Sequence, residues 1–114
     1  ITDKPERFFV NEVIREKILL HYKKEIPYSV EIETESFKQE AEIIHIKAII
    51  LVERDTQKGI IIGHKGSALK RVASEARKDL EVFFNKKIHL EVFVKVAKDW
   101  RKDDRYLKRF GYKQ

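Results

Sequence analysis

Two alternating apolar runs, at residues 42–53 and 87–97, bracket a stretch whose apolar spacing is helical and which is broken once, at Gly63-His64-Lys65-Gly66. That arrangement constrains the fold more than any other feature. In the first run Ile44, Ile46, Ala48, Ile50 and Val52 share one face, and His45, Lys47 and Glu53 share the other with Ile49 and Leu51. In the second, Ile88, Leu90, Val92, Val94 and Val96 point inward while His89, Glu91 and Lys95 point out. Both are strands by their period of two. Two strands joined by a helical crossover pair in parallel, with a right-handed connection. Within the crossover, residues 54–58 read as a polar connector and 58–62 as one short apolar turn or helix. Ser67 is placed as the cap of a long helix reaching about Asn85. Leu69, Val72, Ala73, Ala76, Leu80, Phe83 and Phe84 form its buried stripe, with Lys70, Arg71, Arg77 and Lys78 largely off it.

The N-terminal part adds a helix and a hairpin. Residues 1–25 read as a helix with Asp3 as cap, Pro5 in the first turn and Glu6 completing a capping box. Phe9, Val10, Val13, Ile14, Ile18, Leu20 and the stem of Lys17 recur at helical spacing, and Pro27 ends the run. In residues 28–37, Val30, Ile32 and Thr34 alternate with Glu31, Glu33 and Glu35, read as a solvated row. A polar turn at 38–40 predicts an antiparallel hairpin with the next strand. The tail, residues 98–114, is basic and helical, with Trp100, Tyr106, Leu107 and Phe110 available for docking. The whole is α+β: a single domain over 1–114 in the order α-β-β-α-α-β plus a tail helix. Its three-stranded mixed sheet packs one face on helices and leaves the other partly open.

Bulk composition narrows the function. The 114 residues suit one core; 42% are apolar and 39% charged, too apolar for disorder and too charged for a membrane protein. No apolar run approaches the roughly 20 residues a membrane helix needs. Without cysteine there are no disulfides or thiolate metal sites, and a reducing cytosol is the natural setting. With Ile1 first and no methionine, the chain is expected to be a piece of a longer protein, whose upstream functions lie outside it. The net charge of +6 is uneven: residues 1–56 carry 9 Lys/Arg against 12 Asp/Glu, residues 57–114 carry 16 against 7. The second half therefore suits a polyanion.

The turn itself supplies a way to hold one. Gly63 and Gly66 let the backbone approach a sugar–phosphate chain without a Cβ in the way. The long helix starts at the same place, so its free N–H groups and positive dipole end face the ligand. Lys65 adds a charge, and Ile60, Ile61 and Ile62 give an apolar floor for bases, as single-strand recognition requires. His64, Ser67 and the nearby basic side chains Arg54, Lys58, Lys70 and Arg71 complete the candidate contact set. A P-loop does not fit: counted from Gly59 the second glycine would fall at His64, and Lys65 precedes Gly66 rather than Ser or Thr. The histidines His21, His45, His64 and His89 form no metal-spaced pair, no catalytic set is identifiable, and Trp100 is weighed as an anchor for the tail against a base-stacking residue.

With those elements around Ile-Ile-Gly-x-x-Gly, the chain resembles a type II KH domain. More closely it resembles the C-terminal KH domain of the Era GTPase family. The segments that carry this are Glu12-Val13-Ile14-Arg15-Glu16-Lys17, Ile26-Pro27-Tyr28, Val52 through Gly63, Gly66 to Lys70, Ala76-Arg77-Lys78-Asp79, and Val94-Lys95-Val96 through Asp99-Trp100-Arg101. His64 stands where that family often has lysine or another polar residue, and Ala73 where glycine is common. The resemblance implies single-stranded RNA as partner, specifically the 3′ end of small-subunit ribosomal RNA, and a role in assembling the small ribosomal subunit. It also implies an upstream GTPase domain, absent from this chain, that alone would hold GTP and magnesium, and a cytoplasmic protein reported at the inner face of the membrane. The alternatives are a KH module of another RNA-binding protein, such as a transcription factor or ribosomal protein, and a protein-interaction domain.

Overall fold

A computed structural model describes residues 3–112. Helix α1 spans Lys4–His21, strand β1 Glu31–Gln39, β2 Ile43–Val52, helix α2 Asp55–Ile62, α3 Ser67–Phe84, strand β3 Lys87–Val96 and helix α4 Asp104–Arg109. Residues 1 and 2 of the expected first helix, and 113 and 114 of the tail, lie outside the described residues. The α-β-β-α-α-β order and the mixed sheet are as expected.

Helix α1 differs from expectation at both ends. Asp3 occupies the cap position, but its carboxylate makes no capping bond; it accepts instead from Arg7 Nε at 2.9 Å, so there is no capping box. The helix stops at His21, well before Pro27, because Tyr22 turns extended and donates its N–H back to Ile18. Ile26–Tyr28 form a separate 3-10 turn. The buried face of α1 is nonetheless the expected one: Val10, Val13, Ile14, Lys17 and Ile18. Lys17 is kept charged by Asp79 at 2.5 Å and Glu16 at 2.8 Å, which raise its pKa against the opposing effect of desolvation.

The sheet order is β1-β2-β3, with β2 central. β1 runs antiparallel to β2, and β2 parallel to β3, from Ile43 opposite Lys87 to Val52 opposite Val96. The first strand starts and ends later than its alternation indicated, so the turn falls at residues 40–42. A bulge between Thr34 and Ser36 shifts the phase of β1, and Phe37 joins Val30, Ile32 and Thr34 on the inner face. That face meets Val10, Ile14 and Ile18 of α1 and Val72, Ala76 and Leu80 of α3. Phe83 departs from the expected stripe: it is 60% exposed and stacks on Phe9 with ring centroids 3.9 Å apart.

The tail covers part of the other face, and it is two short pieces rather than one helix: a 3-10 turn at Trp100–Lys102, then α4, capped by Asp103 accepting from the Arg105 N–H at 2.9 Å. Trp100 is an anchor, 2% exposed. Of the glutamates on β1 expected to be a solvated row, Glu35 is exposed but Glu31 and Glu33 are covered. Arg109 grips Glu33 with two bonds of 2.6 and 2.7 Å, and Glu31 is buried between Arg15 at 2.6 Å and the Tyr112 hydroxyl at 2.5 Å. Beyond the tail, Phe93 stays partly exposed under the Lys47 ammonium, 5.1 Å from its ring centroid.

Candidate nucleic-acid interface

The expected polar connector at 54–58 is mostly helix. Gln57 accepts both the Glu53 and Arg54 N–H groups at 3.0 Å, which starts α2 at Asp55. The helix ends when Gly63 adopts φ 75°, ψ −178°, after its N–H has bonded Gly59 O at 2.9 Å. A 3-10 turn over His64–Gly66 follows, in which Lys65 is itself left-handed at φ 52°, and Gly66 at φ 77° opens α3. The cap of α3 is therefore Gly66 and not Ser67, which is already helical, and no side chain bonds the first N–H groups of α3. Those donors point out at the turn, as a phosphate would need.

The two glycines do different work. A Cβ on Gly63 would sit 2.6 Å from the Ala68 Cβ, whereas one on Gly66 would meet nothing within 4 Å. Gly63 thus closes α2 tightly against α3. Gly66 serves the backbone angle and leaves open space in front of the turn.

His64, Lys65, Ser67, Lys70 and Arg71 are exposed and contiguous around this turn, with Gly63 and Gly66 among them. Arg71 lies 3.4 Å from Glu75, which also bonds His21 at 2.6 Å; the His21 bond, then Arg71, lowers the pKa of Glu75. The isoleucine floor needs correction. Ile60 is 53% exposed and Ile62 half-buried, but Ile61 is wholly buried in the core and cannot touch a base. Lys58 is half-buried, and Arg54 sits at the far end of α2, roughly 12 Å along an eight-residue helix. Sequence reasoning missed a second apolar strip. Because β3 is an edge strand, Leu90, Val92 and Val94 of its inner row are only partly buried beside α2 and α3. The strand order was the available signal.

Parallel register also places His45 beside His89, ring centroids 5.7 Å apart, a proximity the sequence spacing hid. Among the described residues no cluster of three or more His, Cys, Asp or Glu is arranged to hold a metal. Among the same residues no helix is long and apolar enough to cross a membrane.

Tyr22 ties the turn to α1. Its hydroxyl donates at 2.6 Å to the carbonyl of Ile61, one of the end carbonyls of α2 that lack a helical partner. Tyr22→Phe should lower stability by about 1–2 kcal/mol, read by denaturant melts. Burial pushes the phenol up to about 12 from its ordinary 10.0. The folded protein holds this proton where the unfolded chain releases it, so stability is full below about pH 10 and falls as pH rises towards 12. Tyr22→Phe should remove that part of the alkaline loss.

Residues 25–101 match the family model described as KH domain. The chain belongs to the KH domain family. The GTPase Era of Pseudomonas putida is 51% identical over 112 residues, which are 98% of this chain and 37% of that protein. The GTPase Era of Geobacter metallireducens is 49% identical over 114 residues, again 98% of the chain and 38% of the relative. Two solved structures superpose on this KH domain with a TM-score of 0.89 and 37% identity, covering 100% of the chain and 39% of theirs. One is Aquifex aeolicus Era bound to GDP·AlF4−; the other is Era in complex with MgGDPNP and nucleotides 1506–1542 of 16S ribosomal RNA. The chain spans less than two fifths of the length of these relatives.

Proposed function

We propose that this chain grips a short single-stranded RNA at the Gly63–Gly66 turn, as the RNA-binding part of an Era-like GTPase acting in small-subunit assembly. The observation that carries this is the turn itself: two positive-φ glycines and a left-handed Lys65 deliver uncapped helix N–H groups and a free ammonium to one exposed point. The contacts are Ile60, Ile62, Gly63, His64, Lys65, Gly66, Ser67, Lys70 and Arg71, with Lys58 and Arg54 at the margin. The RNA of the solved Era complex supports the 3′ region of small-subunit ribosomal RNA as target. In the parent protein the reading adds an upstream GTPase domain that holds GTP and magnesium, a cytoplasmic location, and contact of the basic tail with the inner membrane face.

Single-stranded RNA should bind in preference to duplex, since the clamp needs about four splayed nucleotides and a duplex keeps its bases stacked. Filter binding with an unpaired strand and a hairpin stem of equal length tests this; equal affinity would sink it. With roughly 3 to 5 phosphates neutralised, the log–log salt slope should be about −2 to −4. GTP should not bind at micromolar concentration, because the turn lacks P-loop spacing; calorimetric titration of the chain with GTP checks it.

A further inference from the structure

The two carboxylate oxygens of Glu75 serve two different helices. Oε1 accepts from His21 Nε2 of α1 at 2.6 Å, and Oε2 accepts from Arg71 Nε of its own helix at 3.4 Å. These bonds, that of His21 first, lower the pKa of Glu75, so it stays ionised and can only accept. His21 is 17% exposed at the seam of α1 and α3, whereas Arg71 is 65% exposed. His21 is therefore the fixed end of this chain of bonds, and Arg71 the free one.

Only Nε of the Arg71 guanidinium is engaged; among the described residues its Nη1 and Nη2 have no partner. A guanidinium held by Nε keeps its two-pronged end for a second acceptor, and a phosphate fits that end with two bonds. Ser67, Arg71 and Glu75 recur at every fourth residue, on one face of α3. Helical side chains lean towards the N-terminus of their helix, so Glu75 leans to Arg71 and Arg71 to the Gly63–Gly66 turn. Arg71 starts roughly 6 Å along the helix from Ser67, within reach of a phosphate seated on the first N–H groups. The carboxylate charge opposes the RNA, but it lies a further turn away and is screened by solvent. An unheld arginine would lose more rotamer freedom on gripping a phosphate than one already oriented.

We propose that Glu75 is a positioning residue for RNA binding: seated by His21, it holds Arg71 by Nε and leaves Nη1 and Nη2 to grip a backbone phosphate beside the turn. The inference rests on the turn as RNA clamp and adds a residue that acts on the RNA only through Arg71. One turn away on the same seam, Lys17 and Asp79 already tie α1 to α3, so the fold does not depend on Glu75 alone.

A double-mutant cycle tests it, with a randomised single-stranded RNA pool of eight nucleotides as probe and a melting curve for each variant. Glu75→Ala should weaken binding by about fivefold and lower the salt slope by about 1, because Arg71 no longer meets its phosphate. In an Arg71→Ala background the same substitution should change affinity by less than about twofold. Glu75→Gln keeps a carbonyl oxygen for Arg71 Nε and should restore affinity to within about twofold of the unsubstituted chain. His21→Phe, which unseats the carboxylate, should weaken binding only while Arg71 is present. Tighter or unchanged binding by Glu75→Ala would show that the carboxylate acts by its charge or not at all, and overturns the proposal. An equal loss with and without Arg71 gives Glu75 a structural role and overturns it too. Full affinity in Arg71→Ala removes the phosphate contact and the proposal with it, while the clamp stands. If the unsubstituted chain binds no RNA, the clamp itself fails and the positioning role falls with it.

Discussion

A chain carrying His64→Asp and Lys65→Asp is expected to lose RNA binding and keep its fold. Both side chains are exposed, and neither has an ion pair or hydrogen bond among the described residues. Two carboxylates at the turn would face the RNA phosphates where Lys65 had faced them, so repulsion and the lost contact act together. Several kcal/mol is plausible for the sum, a drop of at least a hundredfold in affinity. The backbone argues for a preserved fold. Position 65 is left-handed, and aspartate is among the few residues besides glycine that accept that region. Position 65 also lies one residue before the N-cap of α3, where the helix dipole favours negative charge. Stability should therefore shift by only about 0.5 kcal/mol. Melting and RNA titration of the same sample check both halves. Unchanged affinity in the folded variant would mean the RNA goes elsewhere; an unfolded variant would mean the turn is structural.

Gly63→Ala should do the reverse and unsettle the fold itself. At φ 75°, ψ −178° the backbone is in a region open essentially to glycine, where another residue costs about 1–3 kcal/mol. The new Cβ would also arrive 2.6 Å from the Ala68 Cβ, which is fixed on α3 and cannot swing away. Separating α2 from α3 to relieve that contact adds an overpacking cost of about 1–3 kcal/mol. The loss should total about 3 kcal/mol, with a fall in melting temperature on the order of 10 °C. Gly66→Ala is the internal control, because its Cβ enters open space and only the backbone term of about 1 kcal/mol remains. Equal melting temperatures for the two variants would show that contact with Ala68 does not hold the turn closed.

Much of the fold was legible because its key signals are local. The alternation of β2 runs unbroken from Ile44 to Val52, and the inner residues of that strand are all buried. The glycine turn was legible for the same reason, since its chemistry lies in four consecutive residues. What the sequence hid depended on partners far along the chain. Glu31 and Glu33 look like a solvated row until Tyr112 and Arg109 arrive from the tail to cover them. Ile61 looks like its neighbours Ile60 and Ile62, but a helix turns each residue about 100° from the last, and only Ile61 faces the core. Ser67 looked like a cap because serine favours that position, yet Gly66 had already taken it. The bulge at Glu35, which brings Phe37 inward, left no mark in the alternation before it.

The parallel pairing of β2 with β3 also dictates an order of events during folding. Each β3 residue pairs with one far upstream, Lys87 with Ile43 and Val96 with Val52, and α2, the turn and α3 lie in the loop between them. Closing that loop loses chain entropy before any of the strand pairing returns it. The β1–β2 hairpin and α1 are contiguous and can meet early, so the nucleus belongs to the N-terminal half. The edge strand β3, and the glycine turn within the loop it closes, are then expected to be the last parts of the domain to assemble.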